Sequence, residues 1–252
     1  MKPPEKILLA ALTLLALAGC KPPEESRMKA IIGAVLIDAG SPPISRSVIV
    51  VAGSRIRSVG EQAHTPVPAG ADKINGAGKF LIAAPVVIPD MDGLPRVETL
   101  EDVKKQLEAG STVLSGMVID TADPEQYLIQ RLRDLRVVFV PRLYTMSSTD
   151  ASFPVRLANT KKLAQAGVLI AASAGPDALR EWALLAQAGL TPEQILAAAT
   201  MNAARAAKLA GEAGSLAAGH RADLLLLGAN PLEDAANMAK VERRLSQGEW
   251  TP

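Results

Sequence analysis

From Phe80 to about Ala210 the sequence alternates between short apolar runs and amphipathic stretches, and on both sides of that block it reads as strand alone. Strands that alternate with helices argue a parallel α/β unit, because a crossover helix carries the chain back to start each new strand in the same direction. Phe80–Ile88 is an almost unbroken apolar run, the pattern of a strand buried on both faces, as in a parallel sheet. Val97–Ala109 puts Leu100, Val103 and Leu107 on one helical face. Thr112–Ile119, Val137–Val140 and Val168–Ala172 read as strands, and Asp123–Leu135, Leu157–Ala166 and Asp177–Ala188 as helices between and after them. Thr191-Pro192-Glu193-Gln194 opens a last helix running to about Ala210, with Thr as N-cap, Pro at the first helical position and Gln as capping-box partner.

The flanks are β. Lys29–Ile37, Ser47–Ala52 and Arg55–Val59 read as strands, the last two joined by the two-residue turn Gly53-Ser54. Gln62–Gly70 is a Pro/Gly-rich loop, and Lys73–Gly78 a short strand and turn. Ala222–Leu227 and Val241–Ser246 return to strand, with a turn at Gly248. Aromatic residues are only 3 % of the chain, so its core is built from small side chains in close approach.

Residues 1–19 read as a secretory signal peptide. Lys2 and Lys6 precede an apolar run, Ile7–Leu17, which is too short to span a bilayer as a helix of about 20 residues. Leu17-Ala18-Gly19-Cys20 resembles the bacterial lipobox, and Cys20 is the one cysteine of the chain. The resemblance implies lipidation of Cys20, a lipid-anchored linker over 20–28, and a membrane partner reached through that lipid. Lys21, where Asp would argue otherwise, favours the periplasmic face of the outer membrane of a bacterial cell envelope. A lone cysteine leaves no internal disulfide. The chain carries 27 basic and 26 acidic side chains; Lys2, Lys6 and Glu5 lie in the first 19 residues, leaving 25 of each. Such a balance makes no electrostatic case for nucleic acid.

The two flanks and the block between them resemble the amidohydrolase superfamily, in its imidazolonepropionase and prolidase-like branch. The N-terminal match is Ala30-Ile31-Ile32 to Ile37-Asp38, then Ser47-Val48-Ile49-Val50 to Ile56-Arg57-Ser58-Val59-Gly60. At the C-terminal side, Ala188-Gly189-Leu190-Thr191-Pro192-Glu193 precedes Ala198-Ala199-Thr200-Met201-Asn202-Ala203-Ala204. Gly214-Ser215-Leu216, Ala222-Asp223-Leu224 and Asn230-Pro231-Leu232 then follow in order. The resemblance implies a small β-sandwich made from both chain ends, over 29–80 and 212–252, beside a (β/α) barrel over 81–211. Leu81 to Gly211 is 131 residues, against about 250 for a complete eightfold barrel, so about four βα units are expected. An incomplete barrel has open edges. A second copy or a partner subunit covering them is therefore expected as one solution.

The residues that differ from the family pattern decide what chemistry to expect. Family members end the first barrel strand in His-x-His; here Pro89-Asp90-Met91 stands at that place. Ser115 stands at or near a later histidine, and Ala174-Gly175-Pro176-Asp177 replaces a terminal Gly-Thr-Asp, keeping only Asp177 as a catalytic remnant. A catalytic zinc site takes three protein ligands and an open water position, so the ancestral divalent metal, zinc by resemblance, is expected to be lost and no metal ligand is assigned. His64 in a Pro-rich loop and His220 in a sandwich turn read as bystanders. Asp90, Asp92, Asp120 and Asp177 could gather into an all-oxygen site at strand ends, but they read first as caps and solvated loop residues. Arg142 and Tyr144, just beyond Val140, could line a residual pocket together with Asp90. Ser115 and Ser173 have no base partner in view. Asp223 reads as structural. Two functions follow: a lipid-anchored binding or structural protein without metal-dependent hydrolysis, or a hydrolase of peptide or non-peptide C–N bonds working through an atypical site at Asp177.

Overall fold

A computed structural model describes residues 28–251. The signal peptide of residues 1–19, Cys20 and nearly all of the 20–28 linker lie outside the described residues.

The N-terminal flank forms a first sheet in the order β4-β3-β1-β5, with β1 at Lys29–Ile32, β3 at Ser47–Ala52, β4 at Arg55–Glu61 and β5 at Asp72–Asn75. Gly53-Ser54 closes the β3–β4 hairpin, as the sequence predicts. A second sheet has the order β13-β12-β11-β6-β2, joining β2 (Val35–Leu36) and β6 (Phe80–Ala83) from one chain end to β11 (Leu224–Leu227), β12 (Val241–Ser246) and β13 (Glu249–Thr251) from the other. Ile31, Ile49, Leu81, Leu224 and Leu226 fill the space between the two sheets.

The apolar run Phe80–Ile88 does not make one strand of a parallel sheet. Its first half, β6, pairs antiparallel with β11 and parallel with β2 in the sandwich. Both faces are nonetheless buried, for a reason the run itself does not reveal. Leu81 and Ala83 point into the sandwich, whereas Ile82, with Leu225 and Leu227 of β11, packs on the helical layer behind it. A sheet shared between two cores needs apolar residues at every position, so alternation disappears.

The middle of the chain builds a four-stranded, all-parallel sheet in the order β10-β9-β8-β7, from β7 (Arg96–Val97), β8 (Val113–Gly116), β9 (Val138–Val140) and β10 (Leu169–Ile170). It is an incomplete barrel of four strands. Four helices accompany it: α1 (Leu100–Glu108), α2 (Gln126–Asp134), α3 (Phe153–Gln165) and α4 (Ala178–Gln187). Leu114, Phe139 and Ile170 face this helical layer and form one core with Val103, Leu132 and Leu163. β7 is a strand that periodicity misses, since two residues ahead of a helix carry no pattern of their own.

The inner face, which eight strands would enclose in a full barrel, is covered by the chain itself. Beyond α5 (Pro192–Ala197) the helix widens into a π turn at Ala198–Asn202 and ends with α6 (Ala203–Ala206), short of the expected Ala210. Ala203, Ala204 and Ala206 pack with Val138, Val140 and Ala171, and alanine's small side chain lets the helix approach the sheet. The same segment seals the β10 edge. Ala172 N–H donates to Ala198 O, Val86 N–H to Ala199 O, Ala174 N–H to Val86 O, and Asn202 Nδ2 to Ile170 O. Ser173 Oγ accepts Ile88 N–H at 2.9 Å. Val86–Ile88, the second half of the apolar run, thus lies beside the end of β10 without joining a ladder. The backbone groups of this edge find partners within one chain, leaving the two-residue β7 as the outer edge of the sheet.

Candidate functional site

The C-terminal ends of β9 and β10 open on a cavity of about 230 Å³, walled by Val87, Ile88, Met91 and Val140 and rimmed by Arg142, Tyr144 and Asp177. Pro141 stops β9 because it has no N–H to continue the ladder. Arg142 then takes a left-handed conformation, φ 53° and ψ 43°, which a side chain bearing a Cβ adopts only when its surroundings hold it there. Those surroundings are two carboxylates. Asp92 Oδ1 accepts from Arg142 Nη2 at 2.8 Å. Glu181 accepts the next two backbone amides, Leu143 N–H at 3.1 Å and Tyr144 N–H at 2.8 Å, one on each oxygen.

Glu181 is a residue that sequence reading misses. It is 3 % exposed on α4, in line with Leu185 and Ala188, which are also buried. A carboxylate at i, followed by apolar residues at i+4 and i+7, is the signal that marks it on the helix's inward face. Burial pushes its carboxyl up to about 7, against the opposing pull of the Tyr144 and Leu143 amides and the Arg142 charge. Its role is to hold the turn after β9 in place.

The four aspartates predicted as candidates separate in space. Asp177 lies at the rim of the mouth cavity, exposed, and its carboxylate does not cap α4 although it occupies the N-cap position. Arg142 and Tyr144 share that cavity with it. Asp90 does not: it has φ 48°, accepts Gly93 N–H, and borders a different cleft beside Ala109–Val113 and Lys208. Asp92 pairs with Arg142, and Asp120 accepts the first amide of α1 from Leu100. Both histidines belong to the sandwich. His64 is an exposed loop residue 3.6 Å from Glu61, and the His220 carbonyl accepts Ile56 N–H. Asp223 accepts Gln247 N–H at 2.7 Å and pairs with Arg221, so its work is in the sandwich turn.

The divalent metal implied by the resemblance needs several donors converging on one point. Among the described residues no three His, Cys, Asp or Glu side chains converge in that way. Asp177 is the free carboxylate at the mouth. Glu181 has both oxygens committed to amides, and Met91 offers a soft thioether, poorly matched to a hydrolytic metal. This donor set does not fit a catalytic zinc ion.

Residues 71–250 match the amidohydrolase family profile. Among curated proteins none matches the sequence. Several solved structures share the fold. Molinate hydrolase superposes with a TM-score of 0.70 at 13 % identity, covering 89 % of this chain and 94 % of that one. Phenylurea hydrolase B gives 0.70 at 14 % identity, covering 89 % and 96 %. An Xaa-Pro dipeptidase with methionine bound in its active site gives 0.65 at 12 % identity, covering 89 % and 99 %. At such identities the likeness is one of fold.

Proposed function

This chain belongs to the amidohydrolase family, and we propose that it binds a small ligand at the sheet mouth without the metal-dependent hydrolysis typical of that family. Its fold and ancestry are those of hydrolases. The observation that carries the proposal is the fate of the ligand positions. By the family resemblance Pro89 and Met91 stand where two histidines would be, and only Met91 of the pair lines the mouth; the carboxylate there, Glu181, is locked onto the backbone of the turn that shapes the cavity. The mouth therefore keeps shape and charge, which suffice for binding, and lacks a device for activating water.

We further propose that a lipid on Cys20 holds the domain at the cell envelope, on the periplasmic face of the outer membrane, with residues 21–27 as tether. Among the described residues no helix is long and apolar enough to cross a membrane. A second copy or partner subunit would meet the sheet at its β7 edge.

Hydrolysis is tested by assaying dipeptides and N-acyl amides with added zinc or manganese, for the wild type and Asp177→Asn. We expect no turnover that depends on Asp177. Asp177-dependent turnover would instead establish an atypical C–N hydrolase. Anchoring is tested by mass spectrometry of the mature chain, where Cys20→Ser should abolish a diacylglycerol-sized mass increment; its absence from the wild type would remove the lipid from the account.

A further inference from the structure

Beside the mouth cavity, across Arg142, lies a second cavity of about 270 Å³ at the C-terminal ends of β7, β8 and β9. Three guanidinium groups line it: Arg96, Arg142 and Arg156. The fold brings them together from separate elements. Arg96 of β7 is the register partner of Ser115 on β8, which in turn faces Val140 on β9, so these three share the sheet's inner side. Arg142 is turned into place by its left-handed backbone. Arg156 reaches in from the first half of α3 and is 4 % exposed.

We propose that this cavity binds the carboxylate of a small organic acid. The site is separate from the mouth and the proposal does not depend on whether hydrolysis has been lost.

The first reason is a surplus of buried donors. A guanidinium carries five N–H groups and no acceptor. Arg156 reaches Ser152 Oγ at 3.4 Å, Met117 O at 3.4 Å and Glu98 Oε1 at 3.3 Å. Charge-assisted bonds ordinarily close to about 2.7–2.9 Å. The same Glu98 oxygen is held more closely by Arg96, at 2.6 Å, so it cannot fully serve both. Arg142 Nε is buried and has no partner among the described residues. Buried charge with so few short contacts is costly, and an incoming oxyanion would relieve it.

The second reason is charge. Three guanidinium groups are paired with two carboxylates, Asp92 and Glu98. Glu181 also faces the Arg142 charge and Asp150 that of Arg156, so little net positive charge remains, which suits a monoanionic carboxylate better than a phosphate dianion. The third is shape. The planar guanidinium fork pairs with a carboxylate through two parallel bonds, and Ser115 adds a hydroxyl to the wall. The volume accommodates a few heavy atoms beyond the acid group.

Titration calorimetry of the full chain with butyrate, with butyramide as neutral isostere and with inorganic phosphate tests this directly. Saturable butyrate binding in the millimolar range is expected, with butyramide at least tenfold weaker. Arg96→Gln should weaken butyrate about tenfold or more, the loss of one charge-assisted bond. Its side chain is largely exposed, so the variant is expected to unfold as cooperatively as the wild type. Arg156→Lys, which retains charge but loses the fork, should weaken it as well. Equal binding of butyramide, tighter binding of phosphate, absence of saturation, or butyrate affinity unchanged in the cooperatively folded Arg96→Gln would each overturn the proposal.

Discussion

Replacing Glu181 by Gln should change how the stability of the fold depends on pH. Burial pushes the Glu181 carboxyl up to about 7, while its ordinary value is 4.5. Between these two values the folded chain keeps a proton that the unfolded chain has released. Stability is therefore highest below pH 4.5 as far as this group is concerned, and falls as pH rises towards 7 and above. The gap corresponds to about 3 kcal/mol, at about 1.4 kcal/mol for each pH unit. Gln has no such titration. Its one oxygen can accept either the Leu143 or the Tyr144 amide, and its NH2 group is left facing the other. A buried N–H without an acceptor costs about 1–3 kcal/mol. At pH 4.5 Glu181→Gln should thus be the less stable protein by about that amount, and by pH 8 the difference should close or reverse. Urea unfolding of both proteins at the two pH values measures it. Glu98, Asp102 and Asp150, held below the ordinary carboxylate range by hydrogen bonds from Arg96, from the Glu98 amide and from Ser152, titrate in both proteins and cancel in the difference. A difference that stays constant from pH 4.5 to pH 8 would refute the claim that a buried, titrating carboxyl holds the turn after β9.

Two further substitutions test the frame around the site. Gly116 ends β8 with φ 97°, and a Cβ there would lie 2.6 Å from Val97 O, so Gly116→Ala should destabilise the fold by about 2 kcal/mol or more, read as a lower urea midpoint. Thr191 accepts Gln194 N–H at 3.2 Å while Gln194 Oε1 accepts Thr191 N–H at 2.9 Å; Thr191→Ala should cost about 1 kcal/mol, and a loss near zero would mean the capping box does not hold α5.

What could be read in the residues depended on how local its cause was. The hairpin at Gly53-Ser54 and the capping box at Thr191 are written in adjacent residues and appear where expected. β8 and β9 are shorter than their apolar runs, but present and parallel. The run Phe80–Ile88 misled because burial on both faces has two causes, and only tertiary structure distinguishes a parallel sheet from a sandwich sheet backed by helices. The covering of the inner face was equally out of reach: the alanines of 198–206 suggest close packing, but not which surface they pack on. At the site, Arg142, Tyr144 and Asp177 converge as strand-end positions can. Asp90 sits only two residues from Asp92, yet a left-handed turn directs it to another cleft. Glu181 and Arg156 were missed because helical charges are usually solvated, and their burial comes from contacts made 37 to 58 positions away.

Metal content is the most direct test of whether this amidohydrolase fold has lost the centre of its chemistry. The full chain, incubated with excess zinc or manganese and then freed of unbound ions, should hold far less than one metal per chain, with no change in Asp177→Asn. One tightly bound metal per chain that disappears in Asp177→Asn would contradict the reading and return the protein to the metal-dependent hydrolases.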